Sequence, residues 1–214
     1  MSNTARERYL SLTPAHYTWW LHLTIDLGLP ALIIAFAISQ IDALTAAEAL
    51  ALPIGFLAAN IGEYLLHRYP MHRPLWPRMA YDRHAVVHHS VFTHESMGLD
   101  SMRDLRWILF PAFTVPGLVL LMIPIAWSVG ALVSTNAGWL ALIVMASYYS
   151  LYEFLHTAYH LPTESWLGRR RLIAYLRRVH QTHHDPTLMS RWNFNVTFPV
   201  TDAPGAPSIR IPRP

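Results

Sequence analysis

Histidine is the residue whose type and spacing carry chemistry in this chain. Ten of the thirteen histidines fall in two windows, 67–89 and 156–184, which together make up less than a quarter of the 214 residues. They form four local groups: His67 and His72; His84, His88 and His89; His156 and His160; and His180, His183 and His184. On an α-helix, residues three or four apart project from one face. That spacing predicts His84 beside His88, His156 beside His160, and His180 beside both His183 and His184. Pro70 lies between His67 and His72 and is expected to break the helix there, because the residue before a proline resists the helical conformation. The pair can then wrap around an ion instead of following a ladder. Neutral imidazole is the commonest protein metal ligand, and an all-nitrogen cluster suits zinc, copper, iron or nickel. The chain has no cysteine, which excludes disulfides, thiolate zinc sites and iron–sulfur clusters. The ten imidazoles therefore read as the ligands of a pair of metal ions, with no catalytic side chain required beyond them. Glu63, one turn before His67, and Glu153, three residues before His156, are placed to orient imidazoles or to ligate directly, and His94 is close enough to the second group to support it. His22 and His16 lie outside the pattern. His22 is read as hydrogen-bonded to Asp26 one turn on, or as a substrate contact.

The elements that must position these groups are membrane spans. The chain is 53% hydrophobic and only 14% charged, and a bilayer is crossed by about 20 apolar residues in a helix. Four stretches qualify, at roughly 19–39, 46–66, 107–128 and 138–158, joined in pairs by short loops at 40–45 and 129–137. This predicts one all-α membrane domain over residues 1–214, with two helical hairpins and a cap of His-rich helical segments at 67–106 and 156–190. Prolines 53, 111, 116 and 124 suit such helices, since neighbouring helices satisfy the freed carbonyls. All sixteen basic residues are arginine. They precede the first stretch, separate the second from the third, or follow the fourth, and the two short loops contain none. The positive-inside rule then places all the arginines, and the histidines with them, on the cytoplasmic face. Arginine-only usage points to a GC-rich genome and hence to a bacterial inner membrane. The polar segment 1–12 shows no cleavable signal. The proline-rich tail from about Arg191 is expected to be extended or irregular. Trp19, Trp20, Trp107, Trp127 and Trp139 fall at span ends, as belt residues do. Tyr148, Tyr149, Tyr152 and Tyr159 read as interfacial belt residues, or as the rim of a lipid path. The basic run 169–178 reads as an interfacial helix on anionic headgroups and not as a nucleic-acid patch.

With these residues in view, the chain resembles the fatty acid hydroxylase superfamily, which includes fatty acid 2-hydroxylases and sterol oxidases. The resemblance lies in Glu63-Tyr-Leu-Leu-His67-Arg-Tyr-Pro-Met-His72, Arg83-His84-Ala-Val-Val-His88-His89, His156-Thr-Ala-Tyr-His160, His180-Gln-Thr-His183-His184 and the closing Asn193-Phe-Asn195-Val-Thr197-Phe-Pro199-Val-Thr-Asp202, and covers about residues 60–202. The second box holds three residues between His84 and its His-His pair, where many members hold two. The resemblance implies a four-helix membrane scaffold and a di-iron centre, in which zinc can displace iron during purification. It also implies hydroxylation of a C–H bond in a fatty acyl, sphingolipid or sterol substrate drawn from the bilayer, using dioxygen and external electrons. Without a fused cytochrome b5 domain, those electrons are expected from a separate cytochrome b5-like protein, or from a ferredoxin and its reductase. Desaturation by the same ligands is the nearest alternative. A metal transporter would need ligands at mid-membrane depth. A bis-histidine haem protein would leave most of the ten histidines without a role.

Overall fold

The computed structural model describes residues 4–76 and 78–202; the tail prolines from Pro204 onward lie outside the described residues. In chain order the helices are α1 (Ala5–Ser11), α2 (Trp19–Ser39), α3 (Ala46–Ala49), α4 (Ala51–Leu66), α5 (Arg78–Tyr81), α6 (His89–Val91), α7 (Thr114–Leu132), α8 (Thr135–His160) and α9 (Arg171–His183). Two π-helical segments, His67–Met71 and Asp82–His88, and a 3-10 helix, Met102–Trp107, complete them. No strand occurs among the described residues; the one isolated bridge pairs Thr93 with Ser96. The protein is thus all-α. Four of its helical stretches are long and apolar enough to cross a membrane: Trp19–Ser39, Ala46–Met71, Thr114–Leu132 and Thr135–His160.

The contacts divide the chain into two compact units. One comprises Thr18–Ala59 and Leu109–Phe154, the other the described parts of Met1–Tyr17, Asn60–Ile108 and Leu155–Pro214, so the divisions fall inside α4 and α8. In the span unit the burial pattern is inverted from that of a water-soluble helix. On α2, Leu32 is 69% and Phe36 57% exposed, whereas His22 and Asp26 are buried. Apolar side chains outward and ionisable ones inward is the arrangement a lipid solvent selects. α7 and α8 approach tightly where Gly138 meets Gly130. A Cβ on Gly138 would lie 2.7 Å from the Ala126 carbonyl oxygen and 2.9 Å from the Gly130 Cα, so only glycine permits this approach.

Three boundaries differ from the sequence expectations. The third long helix starts at Thr114, not near residue 107. Its first turn is capped by the Pro111 carbonyl, which accepts the Thr114 N–H at 2.7 Å, and Pro116 sits where a missing N–H has no helical partner to lose. The expected loop 129–137 shrinks to Val133 and Ser134, because the small residues at 130 and 138 let both helices run to the turn. Ser134 Oγ then accepts the Ala137 N–H at 3.2 Å and caps α8. Finally, Pro70 does not end the second helix. The chain widens into the π turn His67–Met71 and stops at His72. A proline ring clashes with the carbonyl four residues back, and the wider turn moves that carbonyl away from the ring.

In the other unit, arginine side chains tie the N-terminal segment to the long connection 92–107. Arg6 donates to the carbonyls of Val91 at 2.6 Å and Gly98 at 2.9 Å and to Asp100 at 2.9 Å. Trp107 Nε1 donates to Thr13 Oγ1 at 2.9 Å. This loop matters because its backbone faces histidines.

Candidate metal centre

All ten expected histidines lie in this second unit and all are buried. They gather into two sets of converging ring nitrogens. His67, His72, His84, His89 and His183 form one, and His88, His156, His160 and His180 form the other, with the ligand atoms of each set within 4.8 Å of one another. His184 joins the second set through Nε2 contacts of 3.0 Å to His180 and 3.3 Å to His88. Nearest Nε2 neighbours in the first set are 2.7 Å apart for His67 and His84 and 2.9 Å for His72 and His183. A metal–nitrogen bond of about 2.1 Å places adjacent ligands roughly 3.0 Å apart in an octahedral shell and roughly 3.4 Å in a tetrahedral one. The second set's spacings of 3.0 and 3.3 Å fall in that range, the nearest spacings of the first set lie just below it, and either set could hold a metal ion.

The helical segments feed both sets at once. His180 on α9 and His184, which caps it, serve the second set, while His183 turns to the first. His84 and His88 stack at 5.1 Å but direct their nitrogens into different sets, which departs from the pairing expected of an α-helix. The cause is the π turn: with i to i+5 bonding, the residue facing His84 is His89, and their Nε2 atoms are 3.2 Å apart. The other π turn pairs His67 with His72, also five apart, at 3.2 Å.

In five of the rings the opposite nitrogen is anchored on a backbone carbonyl. His88 Nδ1 donates to the Trp107 carbonyl at 2.8 Å, His160 Nδ1 to Met97 at 2.7 Å and His183 Nδ1 to Trp192 at 2.9 Å. His67 does the same to Phe194 and His184 to Phe92. A carbonyl only accepts, so each of these rings carries its proton on Nδ1 and a lone pair on Nε2. His88 and His184 therefore face each other at 3.3 Å with two lone pairs and no proton between them. His160 Nε2 is likewise buried without a hydrogen-bond partner. Buried lone pairs aimed at one another call for a cation, and the donor set fits a nitrogen-liganded metal.

Burial also keeps these rings neutral. It lowers the His72 pKa to about 2, with repulsion from His183 adding, and the His88 pKa to about 3; His183 is lowered to about 4, partly offset by the Trp192 carbonyl. His84, His89, His180 and His184 are all held well below the ordinary range by burial and then by neighbouring imidazoles. Their folded values lie under the ordinary 6.5, so the unfolded chain takes up protons first. Stability is complete above about pH 6.5 and declines as pH falls below it, because protons bind the unfolded chain first. Metal-free protein should accordingly be several-fold more sensitive to unfolding at pH 5 than at pH 8, measured by thermal melting in detergent.

Glu63 holds the segment 195–197. Its carboxylate accepts the N–H groups of Val196 at 2.6 Å and Thr197 at 2.9 Å, the Thr197 hydroxyl at 2.6 Å and the Asn195 amide at 3.2 Å. Asp202 accepts the N–H groups of Phe194 and Asn195 at 2.9 and 3.0 Å. Just before the clamped residues Asn193 adopts φ 59, a left-handed conformation that asparagine tolerates. The turn delivers the carbonyls of two alternate residues, Trp192 to His183 and Phe194 to His67. Asn60 joins the same network through Phe198 and Asn195. It carries no spacing signal, and neither do the five backbone acceptors. Glu153 lies in the span unit, where it accepts the Phe110 N–H at 3.2 Å. His94 turns its ring toward Glu95, 3.9 Å away, at the surface. His22 donates to the Phe110 carbonyl at 2.7 Å in place of the expected bond to Asp26, whose carboxylate is 3.5 Å off. The four tyrosines are buried, and Tyr159 donates to the Val196 carbonyl at 2.9 Å. On α9, Ile173 and Leu176 turn inward with the histidines, while Leu172 and Tyr175 are exposed.

A family model described as fatty acid hydroxylase matches residues 52–204. Comparison with curated proteins and with solved structures finds no match.

Proposed function

The chain belongs to the fatty acid hydroxylase family, and from that membership we propose that it is a multi-pass membrane di-iron oxygenase that hydroxylates a C–H bond of a lipid. The observation that carries the metal part of this reading is the lone-pair contact between His88 and His184, set within two adjacent groups of five imidazoles. When bound, two iron ions would supply the activation of dioxygen and the removal of hydrogen from an unactivated carbon, chemistry that no side chain offers. His67, His72, His84, His89 and His183 would hold one ion, and His88, His156, His160, His180 and His184 the other.

The chain's own residues prepare the ligands. The carbonyls of Phe92, Met97, Trp107, Trp192 and Phe194 fix the tautomer and ring plane of five imidazoles before metal arrives. Burial keeps the rings neutral, so they bind metal in preference to protons, and the complete enclosure of His160 and His183 shuts bulk water out of both groups. Electrons come from a separate carrier, cytochrome b5-like or ferredoxin with reductase. The arginine distribution supports a cytoplasmic placement of the histidines in a bacterial inner membrane.

The test is metal content and product together. Detergent-purified protein loaded with iron under anaerobic conditions should hold one ion per imidazole group. With a reductant and a panel of acyl, sphingoid and sterol lipids, it should place one atom of isotope-labelled dioxygen in a product. The double variant His183→Ala, His184→Ala removes one ligand from each group and should lose both readouts. Retention of all the metal by that variant, or metal without any oxygen incorporation across the panel, would refute the assignment.

A further inference from the structure

We propose that Arg83 and Arg106, both set against the Trp107 ring, form a site for the phosphate group of a lipid. The proposal does not rest on the oxygenase reading, and all its residues belong to the unit that carries the histidines. The guanidinium carbon of Arg106 stands 5.3 Å from the centre of the Trp107 ring, and that of Arg83 stands 5.4 Å from it. Arg106 also lies 5.9 Å from the ring of Tyr17. Arg83 reaches the same place by donating Nη2 to the Arg106 carbonyl at 2.7 Å. Trp107 is held in turn by its indole N–H on Thr13, so the two cations share one fixed aromatic platform.

The pair calls for an anion. Among the described residues neither guanidinium forms an ion pair with a carboxylate. Asp82, next to Arg83 in sequence, is paired with Arg78, and Asp104 accepts the N–H groups of Asp100 and Ser101. Arg106 Nε is buried without an acceptor. A guanidinium stays charged at any physiological pH, so Arg83 and Arg106 repel each other. The ring faces offset part of that cost, but a ring carries no net charge. A phosphate neutralises the pair, and its oxygens match the planar fork of donors.

Two observations make that phosphate a lipid's and not a free ion. The first is position along the chain. Tyr17 lies two residues before α2, a reach of at most about 7 Å, and α2 is long and apolar enough to cross a membrane. The end of such a helix lies at the level of the headgroups, where lipid phosphates are. The second is the surround, which is aromatic: Tyr9 packs edge-on against Trp107 with ring centres 6.5 Å apart, and Tyr17 faces Arg106. Such rings suit the glycerol and upper acyl carbons beside a lipid phosphate and offer nothing to an inorganic one. Both arginines are half-buried, so the site is open to an entering headgroup. A lipid held there also braces Trp107, whose carbonyl anchors His88.

The experiment measures binding of radiolabelled phosphatidylglycerol and of the matching diacylglycerol to the full chain in a nonionic detergent. Phosphatidylglycerol should bind roughly tenfold more tightly, the worth of one charge-assisted hydrogen bond, and added salt should weaken it. Arg106→Gln should remove most of that preference, while Arg106→Lys, which keeps the charge but not the planar fork, should retain part of it. Arg171→Gln, at the exposed start of α9, should leave it unchanged. Melting temperatures check that each variant is folded, and Arg83→Gln supplies the same comparison if Arg106→Gln is not. Equal binding of the two lipids by the unaltered chain would overturn the proposal, as would an Arg106→Gln variant that keeps the preference. An equal loss in Arg171→Gln would mean diffuse attraction to surface charge and would overturn it too. So would displacement of the lipid by millimolar inorganic phosphate, which would make this a site for a free anion. The preference should persist in the His183→Ala, His184→Ala variant, so the lipid site and the oxygenase reading fail separately.

Discussion

Replacing His156 and His160 by Ala should leave a protein that still binds metal at one group, and replacing His67 and His72 should do the same for the other. Each pair is drawn from a single set of converging nitrogens, and the two sets have separate carbonyl anchors, so loss of one shell does not dismantle the other. Metal content is expected to fall by half in each variant, measured by elemental mass spectrometry after anaerobic loading. Product formation should nevertheless fall by more than about a thousandfold in both, because groups that act as a unit lose activity together and not in proportion. Equal melting temperatures of the metal-free variants would show that the fold survives. If either pair removes all the metal, the ten imidazoles behave as one coupled centre. If neither pair changes it, the ions lie elsewhere and the assignment fails.

Glu63→Ala should be the most destabilising single substitution away from the histidines. The carboxylate satisfies two buried peptide N–H groups, one hydroxyl and one amide, all on the segment 195–197. At roughly 1–3 kcal/mol for each peptide donor left unpaired, the two backbone groups alone predict a loss of roughly 2–6 kcal/mol. The same segment presents the Phe194 carbonyl to His67, so metal affinity should also drop about 10- to 100-fold. That drop should be confined to the group holding His67, His72, His84, His89 and His183. Chemical denaturation of the metal-free protein and metal titration of the folded fraction separate the two effects. A variant as stable as the parent would remove Glu63 from its clamping role.

Much of this organisation is legible in the residues themselves. Apolar length and arginine placement mark four spans, and the crowding of ten imidazoles marks a metal centre, because both signals are compositional and survive errors of a few residues. What escapes is whatever depends on helical pitch. His84 and His88 look like partners on an α-helix, yet the extra residue before the His88–His89 pair is taken up by a π turn, and His84 meets His89 instead. Pro70 looks like a break and becomes part of a second such turn. Glu63 sits one turn from His67 in sequence, but its partners lie more than 130 residues away. The third span begins seven residues later than its apolar run suggests, since hydropathy does not register which turn holds the first helical hydrogen bond.

The five carbonyl anchors give the centre an uneven tolerance to evolutionary change. A carbonyl belongs to every amino acid, so Phe92, Met97, Trp107, Trp192 and Phe194 can be exchanged for other residues without deleting the acceptor. Single-residue replacement therefore explores sequence freely at these five positions, subject only to packing. An insertion or deletion is different, because it slides the whole acceptor register past the imidazoles and rotates alternate carbonyls away. In this protein, reading-frame length in the stretches 92–107 and 192–194 is under tighter constraint than residue identity, and drift there is expected to run through substitutions and to avoid gaps.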